Sequence, residues 1–309
     1  MVVPLIARGR VLGGITLVAT HDRRFQPDDL PLVENLAGRA AMAVDNALLF
    51  ESRSMVARAL QQTLLPPALP RIPHVDVVAR YRVAHGGIDI GGDFYDLFEM
   101  ADRSWAVVIG DVCGKGPEAA AVTGLFRHTV RAVASRGPSP ARILRATNEA
   151  ILGQIDDTRF CTAVFVRLEP RTDGARATVA CGGHPRPMVV RADGGVERLD
   201  AAGTLLGVLP EPVLTDRPVD LAEGDAIVLY TDGVTEARRG VELFGEARLM
   251  KVLGEVARGG RFTAAGLADE LEQAVDRFQE GVANDDIAIL VLRVGEPDDD
   301  PRVRPRRER

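Results

Sequence analysis

The spacing of apolar residues changes along this chain, and the changes divide it into segments. Residues 1–20 read as two short strands about a turn. Val2, Pro4 and Ile6 alternate towards Arg8-Gly9-Arg10, and Val11 to Val18 resumes the apolar run. A helix is predicted next. Asp28 or Asp29 can cap it near Pro31, and Val33, Ala37, Ala40, Val44 and Ala47 recur every three or four residues. The stripe continues more weakly through Val56, Leu60 and Thr63 until Pro66-Pro67 stops it. Such a stripe is either packed on its own domain or forms the seam of a homodimer.

Beyond Pro67, strand-like and helix-like segments follow one another to about residue 294. Strands are predicted at Val75–Val83, Trp105–Asp111, Phe160–Leu168, Ala177–Cys181, Met188–Arg191, Ala226–Thr231 and Ile287–Val294. Helices are predicted at Glu118–Ala134, Pro140–Ile155, Glu246–Ala257 and Thr263–Gln279. The helices come in consecutive pairs rather than alternating strictly with strands. That argues against a doubly wound sheet and for a layered α+β sandwich. The polar end, with Asp298-Asp299-Asp300 before an Arg-rich run, is expected to be disordered. Four segments result: 1–50, a linker helix at 51–66, a main domain at 67–295 and a tail at 296–309.

Composition removes several function classes. With 38 Lys and Arg against 44 Asp and Glu, the net charge of −6 supplies no general basic face for nucleic acid. No run approaches the roughly 18 consecutive apolar residues of a membrane span, and the first residues lack the apolar core of a signal peptide. Cys113, Cys161 and Cys181 are scattered, with no CxxC pair, so neither a disulfide framework nor a zinc site is expected and a reducing cytoplasm fits best.

The chemistry lies in aspartates at strand ends. Asp111 closes WAVVIGD, Asp232 closes AIVLYTD, and Asp285 and Asp286 precede IAILVLRV; Asp93 follows Gly91-Gly92. A half-buried carboxylate is costly unless it is paired or binds a metal. Several converging at one end of a sandwich would make an oxygen-only cage, which selects Mg²⁺ or Mn²⁺ over zinc. Two such ions can activate a water and clamp a phosphoryl oxygen. Any single Asp-Gly after a strand is more often a turn; the joint pattern carries the argument, with Asp96 and Asp286 read as supporting or surface groups.

Residues 60–294 resemble the PPM metal-dependent protein serine/threonine phosphatases in their bacterial SpoIIE/RsbU branch. The segments concerned are LQQTLLPPALP, IGGDFYD, VIGDVCGKGPEAA, RFCTAVFVRL, CGGHPRP, LLGVL, LYTDGVTEAR, LFG and NDDIAIL. The resemblance implies an α-β-β-α sandwich of two packed antiparallel sheets and a two-metal centre. Asp111 would bridge the ions, Asp232 and Asp285 would hold one, the Val112 carbonyl would serve the other, and Asp93 would complete the site. The substrate implied is a phosphoserine or phosphothreonine on a STAS-type anti-sigma antagonist. Segment 1–50 is similar to the C-terminal half of a GAF domain in PLIARGRVLGGITL, FQPDDL and LAGRAAMAVDNALLFE, so a closed GAF ligand pocket is not expected. Where many PPM enzymes carry Asp-Gly-His, with the His a proposed general acid, this chain has Asp111-Val112-Cys113. Lys115 reads equally as a phosphate-side cation or a solvated one, and His184 as a catalytic or turn-fixing residue.

Two other patterns carry less. Cys161-x5-Arg167 has tyrosine-phosphatase spacing, but Thr162 to Val166 reads as a strand rather than a phosphate cradle. No G-x-x-x-x-G-K-[ST] occurs, which argues against kinase or NTPase chemistry. The alternative from another class is a phosphatase-like fold acting as a binding module without turnover.

Overall fold

A computed structural model describes residues 1–20, 24–83, 91–137, 139–154, 159–280 and 285–295, with the backbone alone for 52–64. The expected disordered tail at 296–309 lies outside the described residues. The chain forms two compact units, Met1–Ala59 and Leu60–Arg309.

In the first unit, β1 (Val2–Ala7) pairs antiparallel with β2 (Arg10–Thr16), and α1 spans Asp29–Leu64. The helix buries Val33, Ala37, Ala41 and Asp45, spaced by four residues, so one narrow stripe faces the hairpin. Val3 packs with Val33 and Ala37, which makes the odd positions of β1 the inner face. The alternating Val2 and Ile6 therefore point outward. Val44, part of the predicted stripe, is exposed as well, because its turn position falls off the Val33–Ala41 line. The side chains of Val56, Leu60 and Thr63 lie outside those described.

The second unit is a sandwich of two five-stranded antiparallel sheets. The first has the order β10 (Arg217–Ala222), β7 (Gly174–Gly182), β6 (Cys161–Arg171), β5 (Trp105–Val112), β4 (Phe94–Glu99). The second has the order β3 (Val75–Arg82), β14 (Ile287–Val294), β11 (Ala226–Tyr230), β8 (Met188–Val190), β9 (Val196–Arg198). Val107, Ile109, Val164 and Val166 meet Ile227, Leu229, Leu290 and Leu292 in the core between the sheets. Helices α2 (Pro117–Ala134) and α3 (Pro140–Ile151) cover the outer face of the first sheet through Phe126, Val130, Ile143 and Leu144. Helices α5 (Gly245–Arg258) and α6 (Ala264–Gln279) cover the second through Leu249, Leu253, Leu267 and Leu271. The short α4 (Asp232–Thr235) and the hairpin of β12 (Arg238–Arg239) and β13 (Glu242–Leu243) link β11 to α5. The α-β-β-α architecture expected from the sequence is thus present.

Asp96, read as a supporting or surface group, is fully buried in β4. The reason is a pair of arginines one helical turn apart on α2. Arg131 donates two hydrogen bonds of 2.7 Å, one to each carboxylate oxygen, and Arg127 lies 3.1 Å from Oδ2. This clamp ties α2 to the strand that begins one residue after Asp93. Replacing Asp96 with Ala would leave the largely buried Arg127 without its carboxylate, which costs about 3–5 kcal/mol when a buried pair is broken. Urea denaturation of Asp96→Ala should show that loss; a change below about 1 kcal/mol would mean the clamp is not structural.

Candidate metal centre

Local pairing explains why the aspartates converge. β4 runs antiparallel to β5 with Phe94 opposite Gly110, so Asp93 arrives beside Asp111 at the end of β5. In the other sheet β11 pairs with β14, with Tyr230 opposite Ile289. Asp232, just after β11, and Asp285-Asp286, just before β14, therefore emerge at the same edge. Ligand oxygens of Asp93, Asp111 and Asp232 lie within 4.8 Å of one another. A pocket at this edge is lined by Gly92, Asp93, Asp111, Gly114, Lys115, Asp285 and Asp286.

The approach needs glycine. A Cβ at Gly92 would overlap the Val112 carbonyl oxygen and Asp111 Oδ1, and one at Gly91 would overlap the Asp286 carboxylate. The Val112 N–H donates to the Gly92 carbonyl at 3.2 Å, which holds the two segments together. Val112 itself is fully buried. Asp285 is exposed and pairs with Lys115 Nζ at 3.3 Å across the pocket mouth. Asp286 is buried and lines the same pocket. His184 does not reach the pocket lining. Its buried ring shares a 2.8 Å hydrogen bond between Nδ1 and Thr162 Oγ1, and Thr162 is the β6 residue opposite Asp111. Burial holds the His184 imidazole down to about 3, so it stays neutral; the Tyr230 backbone offsets this in part. Cys161 is fully buried in β6, and burial, then Asp111, pushes its thiol well above the usual range. That is the opposite of an activated nucleophile.

The carboxylates resist ionisation. Burial and then Asp111 raise Asp93 well above the ordinary carboxylate range, against a lowering hydrogen bond from Thr231. Burial, Asp232, Asp285 and Asp286 push Asp111 up to about 7. Burial and Asp285 also raise Asp232. Carboxylates crowded this closely repel one another, and a divalent ion bound among them would reverse this. An all-oxygen donor set, packed around a glycine notch that a Cβ would fill, fits Mg²⁺ or Mn²⁺. The sign of the linkage follows. A carboxyl raised from 3.8 to about 7 contributes stability that is fully present below the unfolded value and lost as pH rises through the folded one. In EDTA the protein should therefore lose stability from about pH 4 to about pH 7 on this account. The rise in melting temperature on adding Mn²⁺ should grow from pH 5 to pH 8, since the ion must displace protons at the lower pH. Calorimetric melting at both pH values checks it; an equal shift at both would contradict the cluster's role.

Two groups in this neighbourhood escaped the sequence reading. The Thr231 hydroxyl donates to Asp93 Oδ2 at 2.7 Å, and the Tyr81 hydroxyl donates to the Asp93 carbonyl at 3.3 Å. Their only sequence signal is a polar atom inside an apolar strand, next to an aspartate in the case of Thr231.

The family described as Stage II sporulation protein E (SpoIIE) matches residues 101–295, and the GAF domain family matches residues 1–44. Protein IcfG of Synechocystis sp. is 30% identical over 223 residues, covering 63% of this chain and 34% of that protein. Phosphoserine phosphatase RsbU of Bacillus subtilis is 26% identical over 244 residues, covering 79% of this chain and 70% of that protein. The match thus spans about a third of IcfG's length. Among solved structures, the RsbU and RsbW domains of Rv1364c from Mycobacterium tuberculosis superpose with a TM-score of 0.61 at 29% identity, covering 74% of this chain and 62% of that one.

Proposed function

This chain belongs to the SpoIIE family of protein phosphatases, and from that premise we propose that it hydrolyses phosphoserine or phosphothreonine on a STAS-type anti-sigma antagonist in the cytoplasm. The observation that carries the reading is the convergence of Asp93, Asp111 and Asp232 from two sheets into one acid cluster within 4.8 Å. Bound Mn²⁺ or Mg²⁺, two ions in this proposal, would supply Lewis acidity and a nucleophilic water at neutral pH. The chain's residues provide the rest. Asp111 would hold both ions, Asp232 and Asp285 one of them and the Val112 carbonyl the other, with Asp93 completing the site. Asp286 stands behind them. Lys115, paired with Asp285 in the pocket lining, would neutralise the phosphoryl group of an incoming phosphoprotein. His184 supports the Asp111 strand through Thr162 rather than touching substrate.

The partner is a folded phosphoprotein, not nucleic acid. No helix among the described residues is long and apolar enough to cross a membrane. A homodimer through residues 51–66 belongs to the same proposal, and sedimentation of the full chain against one starting near Pro67 reads it; equal states would remove it. The test of function is phosphate release from a serine-phosphorylated STAS-domain protein with Mn²⁺ present. Release from that protein, exceeding release from an unrelated phosphoserine peptide, supports the proposal. Release from neither contradicts it.

A further inference from the structure

Thr231 is the last residue before Asp232, and its side chain is fully buried. Its hydroxyl makes two bonds with different partners. It donates to Asp93 Oδ2 at 2.7 Å, and it accepts from the Ala288 N–H at 2.9 Å. A hydroxyl has one proton to give. With the Ala288 amide proton facing its oxygen, that proton is committed to Asp93. The Thr231 backbone is fixed too, since its own N–H donates to the Ala288 carbonyl at 3.0 Å. The side chain therefore has little freedom to release Asp93.

The positions of the three residues give this bond its consequence. Asp93 leads into β4 of the first sheet, Thr231 follows β11 of the second, and Ala288 lies in β14 beside it. One hydroxyl thus joins the two sheets at the edge where the acidic side chains converge. It also couples Asp93 directly to the residue preceding Asp232. We infer that Thr231 is a positioning residue of the metal centre, holding one Asp93 oxygen in a protein hydrogen bond and leaving the other for a divalent cation shared with Asp111 and Asp232. This rests on the metal-centre reading above. Without the hydroxyl, Asp93 is a buried carboxylate that has lost its donor and is free to rotate, and the two halves of the site lose their link. Outer partners of metal ligands commonly contribute 10–100-fold in metal affinity, and Thr231 fits that role.

The test is calorimetric titration of the full chain with Mn²⁺, with melting in EDTA as the control for folding. Thr231→Val keeps the shape but removes donor and acceptor. Thr231→Ser keeps both. The expected result is Mn²⁺ affinity weakened at least about 10-fold in Thr231→Val and within about threefold of wild type in Thr231→Ser. Val also leaves the Ala288 N–H unpaired, so some loss of stability is expected. If Thr231→Val does not fold, Thr231→Ala takes its place, because the smaller side chain admits a water to that N–H. Wild-type affinity in a folded Val or Ala variant would overturn the inference. So would a Ser variant as weak as Val, because that loss would come from packing and not from the hydroxyl. If the wild-type chain itself binds no Mn²⁺, the metal-centre reading fails and this inference falls with it.

Discussion

Asp111→Asn should lower kcat/KM by at least about 10³-fold, equivalent to about 4 kcal/mol of transition-state stabilisation. Asp111 lies one residue from the end of β5 beside Asp93 and is crowded by Asp232, Asp285 and Asp286, so it has acidic neighbours on both sheets to share an ion with. An amide there keeps the shape and removes the charge. The same change predicts a second, opposite effect. Asparagine relieves repulsion in the metal-free cluster, so Asp111→Asn should be more stable than wild type in EDTA at pH 8 and should gain less from added Mn²⁺. Loss of activity combined with gain of metal-free stability distinguishes removal of a ligand from damage to the fold. Cys161→Ser is the control, since this buried strand residue has no path to substrate; its activity should stay within a few-fold of wild type. A folded, dead Cys161→Ser beside an active Asp111→Asn would overturn the two-metal reading.

Gly92→Ala should be nearly as severe, although it touches no charge. The added methyl would overlap both the Val112 carbonyl oxygen and Asp111 Oδ1, so the backbone must retreat from the two groups proposed to face the ions. Overpacking of this kind costs about 1–3 kcal/mol of stability. The displaced oxygens should cost more in function, at least about 100-fold in kcat/KM, because small misplacements at a reacting centre are amplified. Mn²⁺ affinity and activity should fall together. An alanine variant that binds and turns over like wild type would mean that the Gly92–Asp111 approach is unrelated to the site.

What could be read in advance follows from burial. β5, β11 and β14 are covered on both faces, so they appear as nearly continuous apolar runs, and an aspartate at or beside one end of each stands out. β4 did not, because Asp96 interrupts its apolar pattern. The arginines that satisfy Asp96 sit on α2, 31 and 35 residues away, and only the fold joins them. β10 was hidden by Pro218 and its charged neighbours, yet Val219 and Leu221 alternate inward; as the edge strand of its sheet it tolerates a proline. In β1 the alternation was visible but its parity was not, since both sets of positions carry apolar side chains and only packing against α1 selects Val3 and Ala7. The convergence of Asp93, Asp111 and Asp232 at one edge was foreshadowed by their places at strand ends and beside glycines. The fixed orientation of Asp93 was not, because a Thr231 hydroxyl 138 residues away sets it.

If the acid cluster binds the ions that activate water, phosphoester hydrolysis must depend on them. Hydrolysis of p-nitrophenyl phosphate by metal-stripped protein, followed as Mn²⁺ is titrated in, tests it most directly. The expected result is no turnover in EDTA, recovery that saturates at millimolar-range Mn²⁺ or Mg²⁺ as carboxylate and water ligands require, and no recovery in Asp111→Asn. Full turnover by the metal-free protein would contradict it.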